Sequence, residues 1–238
     1  MVMEIFDRVR GVERVIVREN QRAVAQYKGR IRGILTPGEH VLRADRGRLE
    51  IEWHDLARPE FVSGYDKALF RDHAEVARRH LTEFRAGVGE VLVISRDGRV
   101  HAVLRPEGRA VYWTDTGPWT AERFAVDGDL EITSDVARRL VGTATTATTS
   151  VDVAEGHVGL LFVDGRFVRE LASGAHAFWT VTRKVVVKVV DLRRQSLDVA
   201  GQEILTRDRV TLRVNLAADY QVIDAVKAAT TRTWRAGT

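Results

Sequence analysis

The feature that most constrains this chain is a short pattern used three times. At Asp164-Gly165 an apolar run over 158–163 meets a turn dipeptide, and a second run with Phe167, Val168 and Leu171 leaves it. Asp-Gly between two such runs predicts a β-hairpin, because a type I′ turn needs positive φ at both central residues. Ser173-Gly174 makes a second turn, and the Val-rich run over 185–190 predicts a buried strand. The same order of features occurs upstream. At one constant spacing Glu19 matches Glu155, Gly29-Arg30 matches Gly165-Arg166, Leu35 matches Leu171 and Gly38 matches Gly174. Without a gap, His40 then matches His176, Asp55-Leu56 matches Asp191-Leu192, and Arg71-Asp72 matches Arg207-Asp208. A register kept over that length argues for an internal duplication. A third copy lies between these two. Residues 88–94 lead into Asp97-Gly98-Arg99, then 100–104 and Glu107-Gly108, and Trp113 follows Gly108 as Trp179 follows Gly174.

Local patterns fill in the rest. Residues 12–17, 23–27 and 31–35 predict strands. Leu49, Ile51 and Trp53 alternate with Glu50, Glu52 and His54, the period of a half-buried strand. The cleanest alternation in the chain runs from Val210 to Tyr220. Residues 1–10 predict a short lead-in helix with Ile5, Phe6 and Val9 on one side. Residues 72–84 predict a second, with Asp72 as N-cap and Glu75 three positions on. A third spans 134–141, capped by Ser134 or Asp135, and a fourth holds Val226, Lys227 and Ala228 behind Asp224. The uncharged Gly/Thr/Ala/Ser tract over 142–150 cannot bury enough surface to fold alone and reads as a linker. The expected fold is α+β, predominantly antiparallel β, with three tandem related β units and short connecting helices. The expected domains are 1–86, a first β unit with a terminal helix; 87–142, a second, diverged β unit; 143–150, a linker; and 151–238, the third unit.

Composition narrows function by exclusion. Lys and Arg number 37 against 33 acids, a net charge of +4 interspersed with acids, which does not make a nucleic-acid surface. Cysteine is absent, so thiolate metal sites, disulfides and thiol nucleophiles are impossible. No apolar run approaches the roughly 18 residues needed to span a bilayer, and Glu4, Asp7 and Glu13 rule out a secretory signal at the start. Membrane contact is therefore expected to be peripheral.

The chemistry-bearing residues read as structural. His40 and His176 occupy equivalent repeat positions, where a turn-stabilising hydrogen bond is needed twice and a catalytic base is not. His73 and His80 share a face of the expected helix but lack a third ligand. His54, His101 and His157 are isolated. Gly87-Val88-Gly89 alone is no nucleotide loop. Glu50 and Glu52 could pair as carboxylates, yet they sit on the wet side of their strand. Trp53, Trp113, Trp119, Trp179 and Trp234 could stack on bases or sugars; repeat equivalence assigns Trp113 and Trp179 to cores. Arg8, Arg10, Arg14, Arg18 and Arg22 form a loose basic series broken by Glu13 and Glu19, a solvated surface. No catalytic, cofactor-binding or metal-binding residue is expected, and no cofactor.

The third unit carries a resemblance. Residues 153–159, 163–166, Leu171 with 174–179, 189–193, 202–208, 210–222, Asp224 and 226–228 together resemble the start of a stomatin/prohibitin/flotillin (SPFH, or band 7) domain, of the slipin branch of bacterial stomatin-like proteins. The first two units resemble it only through the repeat, as the N-terminal extension of some bacterial slipins does. The resemblance implies three tandem SPFH-type β units and a non-enzymatic, membrane-associated scaffold. It further implies a homo-oligomer that organises membrane partners, an NfeD-type membrane protease beside it, and a cytoplasmic location, peripheral on the inner face of the plasma membrane. The membrane hairpin common in stomatins is missing. The family also continues past the position of Ala228 with αβ elements and a coiled-coil helix, so the expectation is a truncated form with weakened oligomerisation. The rival expectation is a soluble adaptor that binds a protein partner through exposed β edges, without membrane contact.

Overall fold

The computed structural model describes residues 12–44, 49–143 and 146–230. Two compact bodies divide between Ala125 and Val126. The expected lead-in helix at 1–10, Arg8, Arg10 and Trp234 lie outside the described residues.

The N-terminal body opens with β1 (Val12–Val17), β2 (Gln21–Tyr27), β3 (Arg30–Leu35), β4 (Gly38–Arg43) and β5 (Leu49–Asp55). β1 pairs with β4, and β2 lies between β3 and β5, all antiparallel. Two helices follow, α1 (Asp66–Asp72) and α2 (Ala74–His80). The next five strands are β6 (Leu81–Arg85), β7 (Glu90–Arg96), β8 (Arg99–Leu104), β9 (Arg109–Trp113) and β10 (Trp119–Ala125). They repeat the scheme: β6 pairs with β9, and β7 lies between β8 and β10.

The C-terminal body adds β11 (Glu131–Ile132) and α3 (Ser134–Leu140). It then runs through β12 (Thr148–Val153), β13 (His157–Val163), β14 (Arg166–Leu171), β15 (Gly174–Trp179) and β16 (Val185–Asp191). Again β12 pairs with β15, here with β11 on the far edge, and β13 lies between β14 and β16. A long hairpin, β17 (Gln195–Leu205) with β18 (Thr211–Tyr220), and α4 (Ala225–Thr230) complete the described chain. The α+β class dominated by antiparallel sheet is the observed one.

The three turns share a local cause. Lys28-Gly29, Asp97-Gly98 and Asp164-Gly165 all have positive φ, from 51° to 80°, as a type I′ turn requires. Each hairpin also carries a register shift at the aligned step: Ala25/Gln26, Ile94/Ser95 and Leu161/Phe162. Such a bulge strengthens the local twist.

Both faces of the first hairpin sheet are covered. Val24, Ile31 and Ile34 lie under Leu69 of α1, Ala77 of α2, Phe61, and Leu81, Val111 and Trp113 of the β6/β9 pair. On the other face Ala23 and Ala25 bury Val15, Val17, Leu35 and Leu49. In the C-terminal body, Val158 and Leu160 pack against Ala225 of α4.

Two expectations need correction. The single helix over 72–84 is two helices and a strand. The Asp72 carboxylate accepts from the Arg71 guanidinium instead of capping, and the break falls at His73 (φ −131°, ψ 42°). Leu81 to Arg85 leave the helical spacing because pairing with β9 sets Leu81 opposite Trp113 and Glu83 opposite Val111; tertiary pairing outweighs a weak local preference. Thr148, Thr149 and Ser150, within the tract read as a linker, are the first residues of β12, where β-branched side chains suit a strand that finds a partner in β15. The Asp224 cap is observed: its Oδ1 accepts from the Lys227 backbone N–H at 2.9 Å.

Candidate functional site

The histidines are held by local bonds. The His40 ring Nε2 lies 2.7 Å from the Thr36 carbonyl, and the His176 Nε2 lies 2.9 Å from the Ala172 carbonyl, the same four-residue reach in both places. His176 Nδ1 also meets Glu131 Oε1 at 3.1 Å. His73 joins two helices and His80 ends the second, so the shared helical face does not form. His101 pairs with Glu60 at 2.9 Å, and His157 lies 3.7 Å from Asp191. His54 packs edge-on to Trp113 with ring centres 5.1 Å apart; burial pushes its imidazole below the ordinary value, against the raising effect of Glu52. Among the described residues, no cluster of three or more His, Asp or Glu could hold a metal ion.

The acids and arginines are likewise spoken for. Glu52 accepts from Ser63 Oγ at 2.8 Å, so Glu50 and Glu52 do not act as a pair. Arg14 pairs with Glu39, and the buried Arg22 donates to Asp115 at 2.9 Å, which leaves no continuous basic face through Arg18. Arg109 of β9 donates to Glu83 and to Asp66. Burial opposes its charge, but those two acceptors outweigh it and hold the guanidinium above its ordinary value. Burial opposes the Glu83 charge too, yet bonds from Arg85 and Arg109 hold that carboxyl below its usual value. Trp113 and Trp179 are fully buried, as repeat equivalence implied. The Trp119 indole donates to the Trp113 carbonyl at 3.0 Å and stacks on Tyr112 at 4.2 Å. A cavity of about 450 Å³ lies between α3 and the β12/β15 pair, lined by Ile132, Ala137, Leu140 and Ala177 together with Ser134, Arg138, Thr148, Thr149, Ser150 and His176.

The surface that stands apart is the β17/β18 hairpin. Pairing places Gln195 opposite Tyr220, Leu197 opposite Ala218, Val199 opposite Leu216 and Ile204 opposite Leu212, all on one face. Ser196 with Asp219, Asp198 with Ala217, and Glu203 with Arg213 form the other. The alternation over 210–220 announced β18. Its partner β17 was not legible, because the register shift between Val199 and Gln202 breaks the period of two. Leu197, Ile204, Leu212, Leu216 and Tyr220 remain about half exposed, and among the described residues neither outer edge pairs with another strand.

This hairpin sits inside the stretch that the comparisons recognise. Residues 151–237 match the SPFH domain / Band 7 family. This stretch of the chain is an SPFH/band 7 segment. The chain is also 40% identical over 78 residues to an uncharacterized protein of Archaeoglobus fulgidus, covering 33% of this chain and 30% of that one. It is equally similar, at 40% over 78 residues, to a stomatin homolog of Pyrococcus horikoshii, covering 29% of that protein. A stomatin homolog of Pyrococcus abyssi matches over the same length, 28% of its own. The chain thus spans less than a third of the length of the curated relatives it matches. No solved structure matches the chain. No helix among the described residues is long and apolar enough to cross a membrane.

Proposed function

We propose that this chain is part of a non-enzymatic, membrane-associated scaffold of the stomatin type, of the slipin branch. In this reading it self-assembles and organises membrane partners at the cytoplasmic face, with an NfeD-type membrane protease as one partner. The observation that carries this is the SPFH/band 7 match over residues 151–237, together with relatives named as stomatin homologs. Open strand edges and an apolar sheet face among the described residues support it, since such surfaces suit assembly. The three five-strand sets read as products of duplication, with 151–238 as the N-terminal part of an SPFH/band 7 domain. Flotation with vesicles containing anionic lipid, run beside mass photometry of the same chain, tests the reading. Co-flotation and species larger than one chain are expected. A chain that is strictly monomeric and stays with the soluble fraction overturns it; a chain that assembles on a protein partner yet never floats favours the soluble adaptor instead.

A further inference from the structure

We propose that the cleft between α3 and the β12/β15 pair binds a small amphiphilic organic acid, with the apolar chain along its floor and the carboxylate at Arg138. The site goes beyond the scaffold reading and does not depend on self-assembly. Its lining residues all fall between residues 132 and 177, inside the C-terminal body and away from both ends of the described chain. The volume, about 450 Å³, lies within the roughly 300–1,000 Å³ of small-molecule sites. Ile132, Leu140 and Ala177 are buried and give the cleft an apolar floor, while Val141, which also lines it, is 81% exposed. An apolar side chain left open in a concave site gains from any ligand carbon laid against it. Arg138 comes one helical turn before Val141, so a guanidinium and an apolar side chain share one side of α3 and its C-cap.

Charge selects the ligand class. None of the lining residues is acidic, so a cation finds no partner there, whereas an anion meets Arg138. That guanidinium is loosely held: Nε donates to the Ser134 carbonyl and Nη2 to the Asp135 carboxylate, both at 3.4 Å, and the side chain is 77% exposed. A ligand carboxylate can take these donors in a two-point fork, a shorter and stronger arrangement. His176, also in the lining, has both ring nitrogens against oxygens, of the Ala172 carbonyl and of Glu131, so the head group falls to Arg138. Hydroxyls of Ser134 and Thr149 line the same cleft and can donate to a carboxylate oxygen. No Trp, Tyr or Phe lines it, so a base or sugar has no stacking platform, while a flexible alkyl chain needs none.

Titration calorimetry of the full chain with sodium decanoate, kept below its micelle concentration, tests the site, with a Kd on the order of 100 µM expected. Decanol carries the chain without the charge and should bind about ten-fold more weakly. Arg138→Gln should bring decanoate to the level of decanol and leave decanol unchanged. Ala137→Phe fills the cleft from α3 and should weaken both ligands at least about ten-fold. Val141→Ser, at an exposed position, removes ligand contact without opening a core and should weaken both about three-fold. Far-ultraviolet circular dichroism checks the fold of each variant. A chain that does not bind decanoate at about ten times the expected Kd overturns the site. So does binding that ignores Arg138→Gln, or that ignores both Ala137→Phe and Val141→Ser. An anionic head on an apolar chain also describes a membrane lipid. Phosphatidylglycerol vesicles that displace decanoate assign the cleft to bilayer lipid and overturn the soluble acid; vesicles that leave the titration unchanged support it.

Discussion

Replacing Trp113 by Ala tests the central packing claim for the N-terminal body. The side chain is fully buried and fills the space between the first hairpin sheet, α1, α2 and the β6/β9 pair. Phe61 meets it edge-on at 5.0 Å and His54 at 5.1 Å. A buried Trp removes about 200 Å² from water, which at about 25 cal/mol per Å² contributes about 5 kcal/mol. Part of that returns through the Ala methyl and local collapse, while the remaining void adds a cost, so the expected loss is about 3–5 kcal/mol. Urea denaturation followed by circular dichroism measures it, as a fall in the midpoint at constant slope. The indole Nε1 has no hydrogen-bond partner among the described residues. Trp113→Phe therefore removes an unsatisfied buried donor along with some volume, and these effects oppose, so a change within about 1 kcal/mol is expected. A loss below about 1 kcal/mol for Trp113→Ala, or equal losses for the two variants, would refute the packing argument.

Further outcomes follow from the same geometry. Ala at Gly29, Gly98 or Gly165 meets no atom within 4 Å but must hold φ between 71° and 80°, so each should cost about 1–2 kcal/mol from backbone strain alone, read by thermal melts; unequal costs would show that the three turns differ. Because burial lowers His54 in the folded state, the unfolded chain takes up the proton first. Stability should fall as pH drops below His54's ordinary value of 6.5, and His54→Gln should flatten that part of the profile. Glu83 acts at lower pH: its depressed carboxyl contributes stability above its ordinary value of 4.5, which is lost as pH falls through the folded value, and Glu83→Gln should remove that loss. Arg22→Met should cost about 1–2 kcal/mol, limited because the Asp115 left behind is partly exposed and can hydrate; a larger loss on urea titration would show that Asp115 depends on Arg22 for more than its charge.

What was legible in the sequence followed from backbone chemistry. The Gly of each turn dipeptide announced a positive φ, and the alternation at Leu49, Ile51 and Trp53 announced β5. What was hidden depended on partners distant in the chain. Leu81 to Arg85 carry a spacing that also fits a helix, and only β9 decides for a strand. Thr148 to Ser150 lack the bulk to declare themselves, and only β15 recruits them. β17 was masked by its own bulge. The matching contacts of His40 and His176 to a carbonyl four residues back were foreshadowed by their matching places in the sequence pattern. The acceptors of Arg109 were not, since Asp66 and Glu83 come from different elements with no shared motif.

The pairing scheme also has a kinetic side. Among the described residues, β1 to β5 find their strand partners between Val12 and Asp55, β6 to β10 between Leu81 and Ala125, and β12 to β16 with one another between Thr148 and Asp191, apart from the short β11 that joins β15. For a chain so rich in sheet this keeps the loops that must close short, and short loops cost little entropy to close. Each five-strand set can complete its ladders while the next is still being synthesised, so the nascent chain exposes few unpaired edges at any moment.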